Sequence, residues 1–234
     1  MIETIDYAVA GRTFAALIAA PSERQASHAG VLLLHGGGGL GDHERERAAR
    51  LVELGYVVVA PDLFGETFRD RAHGMAVIGA LVATPGELRA RVGAAWKRLC
   101  DEPGVDRERT AVVGHCFGGL AAFELARSGA NVRAAVGLHA GLTTREPARS
   151  DNVRARVLAC VGAADPFCPR DHRAAFEDEM TTAGVDWQML VLAGAMHGFS
   201  VPSTDPAKQP GSAYHEPSDR RSWMAMRSLF DEVL

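Results

Sequence analysis

The sequence is short of cysteine and of excess positive charge, and each shortage excludes a class of protein. Its four cysteines, in 234 residues, have no regular disulfide or zinc-finger spacing, which is typical of a chain kept in a reducing compartment. The 25 Lys and Arg residues are outnumbered by 29 Asp and Glu residues, for a formal net charge of −4. We therefore expect a small-molecule partner, and no binding of nucleic acid or of an anionic membrane.

Long apolar runs are missing as well, and we expect no secretory leader. A transmembrane helix needs about 20 consecutive apolar residues, and the sequence has no such run. Its first residues carry no basic region ahead of an apolar stretch, unlike a secretory signal, so we expect a cytoplasmic protein. With a hydrophobic fraction of 47%, residues 1–234 are expected to form a single domain around one core, as a monomer or a small homo-oligomer.

What the sequence does contain is an alternation of apolar runs with helical patterns. Residues 5–20 alternate between apolar and polar and break at residues 10–12, which predicts an antiparallel hairpin at a sheet edge. Residues 31–35 form a continuous apolar run, as in a strand buried on both faces. Further predicted strands cover residues 56–60, 110–113, 132–138, 153–161 and 187–192. The chain is therefore predicted to be α/β, with a mostly parallel sheet and helices on both of its faces.

Two segments are harder to interpret. Residues 64–83 mix Gly, Arg and small apolar residues, and we predict one short helix there, followed by a clearer helix over residues 85–101. Arg69 and Arg71 could bind an anionic substrate, but a solvated surface is the simpler interpretation. Residues 201–217 are rich in proline and too long for a simple connection, so we predict a surface loop that partly covers the site.

One stretch, residues 110–120, ends an apolar run in the motif Gly-x-Cys-x-Gly-Gly and then enters a helical pattern. A strand, a sharp turn and a helix in this order are typical of the nucleophile elbow of α/β-hydrolases, here with Cys116 where serine is usual. Gly114 and Gly118 lack the β-carbons that would collide with neighbouring backbone in such a turn. The helix N-terminus favours a thiolate at Cys116. The alternative is a buried cysteine in a glycine-rich turn.

A nucleophilic cysteine needs a base and a third group that orients the base. Asp165 and His197 each follow a predicted strand, and the order Cys116, Asp165, His197 is the chain order of an α/β-hydrolase triad. Because the carboxyl ends of parallel strands meet at one edge of a sheet, we expect the three side chains to lie together. A solvated turn aspartate and an unrelated loop histidine are the alternatives.

An acyl-transfer site also needs two hydrogen-bond donors for the oxyanion. The residue after the nucleophile, Phe117, supplies one amide, and we assign the other to Gly37, in the glycine run after the first buried strand. The same run could serve only as a flexible turn. His35 and Gly36 precede Gly37, and His139 ends a strand at the same edge, so these three residues are candidates for substrate contacts.

A zinc centre is the competing interpretation of the cysteines and histidines near this edge. It would draw on His35, His115, Cys116, Cys168 and His197, but no pair among them has H-x-x-x-H or C-x-x-C spacing. We therefore predict no metal and no organic cofactor. Cys168 is expected to be a half-exposed loop thiol.

Three motifs, Gly-x-Cys-x-Gly-Gly, Val-Gly-Ala-Ala-Asp-Pro-Phe-Cys-Pro and Met-His-Gly-Phe, resemble those of the dienelactone hydrolase family of cysteine α/β-hydrolases. The resemblance runs from about residue 31 to the end, and it implies hydrolysis of carboxylic esters or lactones by Cys116, His197 and Asp165. The chain departs from the family's lactone-cleaving members at two positions. They carry a glutamate where Gly36 stands, and where Val201 stands they carry an arginine that grips the substrate carboxylate.

The sequence thus predicts an ester or lactone hydrolase that works through a thioester on Cys116. A non-hydrolytic ligand-binding or thiol-sensing protein on the same scaffold is the alternative, because a fold by itself does not establish an activity. The presence of all three triad residues favours the hydrolase.

Overall fold

The apolar runs of the sequence assemble into one β-sheet flanked by helices. The computed structural model of the protein describes residues 2–22, 27–84 and 86–234. Its strands are β1 (Ile2–Val9), β2 (Arg12–Ala19), β3 (His28–Leu34), β4 (Val57–Pro61), β5 (Val105–His115), β6 (Ala134–Leu138), β7 (Arg156–Gly162) and β8 (Trp187–Leu192). Its helices are α1 (Asp42–Glu53), α2 (Arg71–Ala83), α3 (Glu87–Cys100), α4 (Phe117–Arg127), α5 (Arg170–Thr182) and α6 (Glu216–Val233). In the described parts of the chain, none of these helices combines the length and apolar character needed to cross a membrane.

The strands lie in the order β1-β2-β4-β3-β5-β6-β7-β8. β1 and β2 form the hairpin expected from residues 5–20, and its two-residue turn holds Ala10 and Gly11 at positive φ angles of 47° and 80°. β2 also pairs with β4 in the antiparallel sense, whereas the pairings from β4 through β3 to β8 are parallel. The predicted fold class, a mostly parallel sheet with an antiparallel N-terminal hairpin, is confirmed.

Helices cover both faces of the sheet because the central strands are apolar on both. All seven residues of β3 and all five of β6 are buried. On one face the sheet packs against Val92 and Leu99 of α3 and Leu125 of α4. On the other face it packs against Leu51 of α1 and Phe230 of α6. Burial of this kind is what keeps parallel sheets stable, and it leaves the strand ends as the place where polar groups gather.

The segment at residues 64–83 is the part that the sequence pattern describes least well. It does contain one helix, α2, but that helix is 13 residues long. Only Gly74 and Leu81 of α2 are buried, so it lacks the apolar stripe by which a helix is recognised from a sequence. The expected start of the next helix, Pro85, lies outside the described residues, and α3 begins at Glu87.

Candidate active site

Strand β5 turns sharply into α4 at Cys116. The backbone of Cys116 has φ 53° and ψ −115°, a conformation that residues with a side chain rarely adopt. The turn also brings backbone atoms into close approach. A β-carbon at Gly114 would lie 2.1 Å from the carbonyl oxygen of Gly118, and one at Gly118 would lie 2.3 Å from that of Leu34. Glycine at positions 114 and 118 is therefore a requirement of this turn.

The turn places the Cys116 thiol against two side chains from later loops. Its Sγ lies 3.0 Å from Nε2 of His197, and Nδ1 of His197 lies 2.9 Å from Oδ2 of Asp165. Asp165 is buried, and its Oδ1 accepts the backbone N–H of Phe167 at 2.8 Å, which fixes the carboxylate. The three residues follow β5, β8 and β7, so the common edge of the parallel strands brings them into one row.

Contacts within this row affect the protonation of Cys116 and His197. Burial raises the pKa of the Cys116 thiol, but the hydrogen bond and the charge of His197 outweigh burial and leave that pKa below its ordinary value. Burial lowers the pKa of His197, while its contacts with Asp165 and Cys116 raise it, with a net result of about 10. At neutral pH the two groups therefore favour a thiolate beside an imidazolium.

Two backbone amides point at the Cys116 sulfur. They belong to Gly37 and Phe117, and both donate to the sulfur and lower its pKa. Phe117 is the first residue of α4, whereas Gly37 belongs to the loop after β3. The loops meet because β3 and β5 are parallel neighbours, with Leu34 paired to Gly114. Two donors that converge on one point can hold a negative oxygen there, which is the geometry of an oxyanion hole.

His35 and Gly36 both lie near the elbow, but only one of them lies against Cys116. His35 is buried; its Nδ1 donates to the carbonyl oxygen of Gly36 at 2.7 Å, and its Nε2 accepts the N–H of Leu63 at 2.9 Å. Both ring nitrogens are thus engaged by backbone, and the ring ties the loop after β3 to the loop after β4. A β-carbon at Gly36 would lie 3.7 Å from Cβ of Cys116. Gly36 is therefore the one of the two that lies against the nucleophile.

His139 and Val201 both lie near His197. His139 is buried at a positive φ of 41°, its ring centroid is 5.2 Å from that of His197, and its Nε2 is 2.9 Å from Oγ of Ser200. Val201 is half-buried, and its N–H donates to the carbonyl oxygen of Gly198 at 3.0 Å. His139 therefore packs on the candidate base, while Val201 closes the turn that follows it.

Phe167 and the loop of residues 201–217 make contacts that sequence patterns do not single out. The ring of Phe167 is 52% exposed and meets the ring of His197 edge-on, with 5.1 Å between centroids. In the loop, Gly211 accepts the N–H of His197 at 3.2 Å, and the N–H of Ala213 donates to the carbonyl oxygen of His197 at 2.9 Å. The loop therefore holds the backbone of the candidate base. The aspartate motif contains Phe167 and could have indicated it, whereas the loop contacts carry no sequence signal.

Cys168 is buried, so the prediction of a half-exposed loop thiol is wrong. It is 2% exposed and packs in a cluster with Phe176 and Met180 of α5. Burial raises its pKa to about 11, in contrast to the lowered pKa of Cys116. Cys168 therefore has the character of a core thiol, which stays protonated and unreactive.

A metal could be held by a different group of residues from the five considered in the sequence. Within the described ranges, the ligand atoms that come within 4.8 Å of one another belong to His43, Glu44 and His115. This group shares only His115 with the zinc set weighed above. Cys116 and His197 face each other instead, in the row described above.

Known proteins resemble this chain along most of its length. The model of the dienelactone hydrolase family matches residues 14–234. Two solved structures superpose with a TM-score of 0.94, and each comparison covers 100% of this chain and 98% of the other; they are m3DLH, 37% identical, and a dienelactone hydrolase-like promiscuous phosphotriesterase from metagenomic libraries, 33% identical. A carboxymethylenebutenolidase of Pseudomonas putida is 26% identical over 175 residues, which are 70% of this chain and 71% of the relative. Because the family model spans nearly the whole sequence and both solved relatives share its fold from end to end, the chain belongs to the dienelactone hydrolase family.

Proposed function

We propose that the protein hydrolyses small carboxylic esters or lactones through a thioester on Cys116. Its family makes it a hydrolase of ester or lactone bonds. The observation that carries the mechanism is the row of Cys116, His197 and Asp165, with contacts of 3.0 and 2.9 Å, beside two amides that converge on the sulfur. A nucleophile, an oriented base and an oxyanion hole are the parts that acyl transfer through a covalent intermediate requires.

In the first half-reaction, the thiolate of Cys116 attacks the carbonyl carbon of the substrate. The carbonyl oxygen becomes an oxyanion, and the N–H groups of Gly37 and Phe117 hold it. When the tetrahedral intermediate collapses, the bond from carbon to the leaving oxygen breaks, and the imidazolium of His197 gives its proton to that oxygen. In a lactone the alcohol stays attached to the acyl group, so the ring opens on the enzyme.

In the second half-reaction, the neutral imidazole of His197 takes a proton from a water molecule, which attacks the thioester carbon. Asp165 holds Nδ1–H of His197 and so keeps Nε2 directed at the water and the sulfur. The same two amides hold the second oxyanion. The carbon–sulfur bond then breaks, and the thiolate and imidazolium are restored as the carboxylic acid product leaves. The cycle consumes one water molecule.

The surroundings of the row favour a small, uncharged substrate. The exposed ring of Phe167 offers an apolar surface beside His197. Val201 adds a second apolar side chain at a position where the resemblance to lactone-cleaving members implies an arginine. A carboxylate that is taken out of water needs a paired cation, so we assign to this enzyme an ester or lactone without a free carboxylate at that end.

A comparison of Cys116→Ala with Cys168→Ala tests the mechanism. With p-nitrophenyl acetate and a small lactone as substrates, Cys116→Ala should lose hydrolysis by about 10⁴-fold or more, because the covalent step disappears. Cys168→Ala should keep most of the activity, because that thiol is buried and protonated. Intact-mass spectrometry of the unsubstituted protein with a slowly hydrolysed ester should show one added acyl group, absent from Cys116→Ala.

Comparable losses in both variants would overturn the single-nucleophile mechanism. Hydrolysis that persists in Cys116→Ala would also do so, since a water attacking directly would then carry the reaction. A Cys116 that oxidises readily and is never acylated by any ester of the panel would favour the ligand-binding or thiol-sensing protein instead.

A further inference from the structure

Buried nitrogen atoms without a hydrogen-bond partner are concentrated at one place behind the catalytic row. In residues 2–22, 27–84 and 86–234, six buried side-chain atoms lack a protein partner, and they belong to His43, Arg47, His115 and His139. Folded proteins pair nearly all of their buried polar groups, with protein atoms or with water, so these atoms indicate that water or an ion binds between them. The two Arg47 nitrogens can only donate hydrogen bonds, whereas the histidine nitrogens can also ligate a metal ion. The catalytic cycle uses none of these four side chains.

Two of these histidines face each other across the packing of α1 on the sheet. His115 ends β5, directly before the nucleophile, and His43 lies in the first turn of α1. Their ring centroids are 4.6 Å apart at an interplanar angle of 81°. Nε2 of His43 and both ring nitrogens of His115 are among the unpaired atoms. The carboxylate of Glu44 joins them, and one ligand atom from each of the three residues lies within 4.8 Å of the others.

We propose that His43, Glu44 and His115 bind a divalent transition-metal ion of the zinc class, at a site separate from the Cys116 and His197 pair. Two imidazole nitrogens and one carboxylate oxygen are a ligand set that suits zinc, copper or nickel, and a fourth position remains for water. His43 is partly exposed, whereas its Nε2 and the whole of His115 are buried, so the site lies directly beneath the surface of α1. This inference goes beyond the hydrolytic function and does not depend on it.

The charges around the three residues are compatible with a bound cation. Nε2 of His43 and both ring nitrogens of His115 have no protein partner, so each ring has a nitrogen atom available to ligate an ion. Two positive charges, Arg47 and Arg50, lie near His43. Arg47 pairs with Asp219 at 2.7 Å, which offsets part of its repulsion of a cation. Glu44 accepts the N–H of Gly41 at 2.9 Å, an outer hydrogen bond of the kind that orients ligating carboxylates.

Zinc titration of the Cys116→Ala protein tests the proposal without competition from the catalytic thiol. Binding is read from competition between the protein and a chromophoric chelator, and one Zn²⁺ per chain is expected. His43→Gln and Glu44→Gln should each weaken zinc binding by at least tenfold. Glutamine can still accept the N–H of Gly41 at position 44, so the start of α1 is kept. Circular dichroism of each variant verifies that it is folded.

Two matched controls separate ligation from a change of charge or of histidine count. Glu46→Gln removes a carboxylate from the exposed side of α1. His73→Gln removes a histidine of α2, whose ring lies beside the carboxylate of Glu66. Neither Glu46→Gln nor His73→Gln should change the affinity of the protein for Zn²⁺. The Cys116→Ala protein loaded with Co²⁺ should show visible ligand-field bands without a sulfur-to-metal charge-transfer band, since the ligands are nitrogen and oxygen.

Three results would overturn the inference. Absence of zinc binding in Cys116→Ala would mean that any ion held by the unsubstituted protein belongs to the catalytic thiol. Unchanged affinity in both His43→Gln and Glu44→Gln would place the ion elsewhere. A sulfur charge-transfer band in the cobalt protein would show that a cysteine ligates, which the proposed group does not contain.

Discussion

The four cysteines differ in reactivity because of their surroundings. Burial raises the pKa of Cys100, Cys160 and Cys168 to about 11, 12 and 11. Cys116 is half-buried, and the imidazole of His197 and two backbone amides reverse the effect of burial on its pKa. Cys116 therefore differs from the other three both in its hydrogen bonds and in its lesser burial.

The rate of alkylation by iodoacetamide should report this difference. The thiolate is the reacting form and the pKa of Cys116 is lowered, so below about pH 8.5, the pKa of an ordinary cysteine, Cys116 should be alkylated faster than an ordinary thiol. His197→Gln removes the cationic partner, and its alkylation should rise with pH as an ordinary thiol does. Mass spectrometry of the labelled peptide gives the rate for each cysteine, and the other three should stay unlabelled in the folded protein. If alkylation of the unsubstituted protein increases about tenfold per pH unit up to 8.5, another group keeps the thiol of Cys116 protonated.

At the scale of the secondary-structure element, the elbow between β5 and α4 is a close approach of backbone to backbone. The carbonyl group of Gly118 occupies the space that a side chain at Gly114 would need. Flexible side chains can move away from an added methyl group, but backbone held by a sheet and a helix cannot do so cheaply. The elbow therefore restricts its own sequence more strictly than the helices around it do.

Gly114→Ala should destabilise the protein by about 3 kcal/mol or more, because its β-carbon would lie 2.1 Å from a carbonyl oxygen. Gly93→Ala in α3 is the matched control: a β-carbon there has open space, and alanine is favoured over glycine in a helix by about 0.5–1 kcal/mol. Urea denaturation measures both free energies of unfolding. Equal stability of the two variants would show that the elbow relaxes to admit a side chain.

How much of the site the sequence predicts depends on whether a residue's position follows from chain order or from packing. Cys116, Asp165 and His197 follow strands of one parallel sheet, so their meeting point could be placed before the fold was known. The approach of His43 to His115 depends on how α1 packs on the sheet, and no spacing along the chain indicates it. The burial of Cys168 could not be predicted for the same reason, because it depends on how the side chains of α5 pack against this loop.

At the scale of the whole molecule, strand order places the two amides beside Cys116, and net charge affects which substrates approach them. β3 and β5 are neighbours near the middle of the sheet, so the two proposed oxyanion donors come from the part that is supported on both sides. The chain carries a formal net charge of −4. Arg69 and Arg71 lie exposed near the start of α2, and the guanidinium of Arg71 donates to the carbonyl oxygen of Lys208 at 3.3 Å. A net negative charge disfavours the approach of anions, which supports the proposed preference for neutral substrates.

A lactone with a free carboxylate and its methyl ester should therefore differ as substrates. We expect the neutral compound to have the higher kcat/KM by about tenfold or more, because the unpaired carboxylate loses its water shell next to an apolar Val201. Val201→Arg should reduce or reverse the preference. Val191→Arg adds the same charge on the exposed face of β8 and should leave the preference nearly unchanged. If the acidic lactone is the better substrate of the unsubstituted protein, Arg69 and Arg71 are the next residues to change.

The positive φ angle of Cys116 affects which residues evolution can keep at this position. A side chain held in such a conformation costs about 1–3 kcal/mol, so the fold is less stable for carrying its nucleophile at this point. Cys116→Gly should be more stable than Cys116→Ala by about 1 kcal/mol in urea denaturation, against the usual rule that glycine weakens a fold; the opposite order would mean that the turn is unstrained. Under the proposed mechanism, selection for the reaction keeps cysteine at a position where glycine would make the fold more stable.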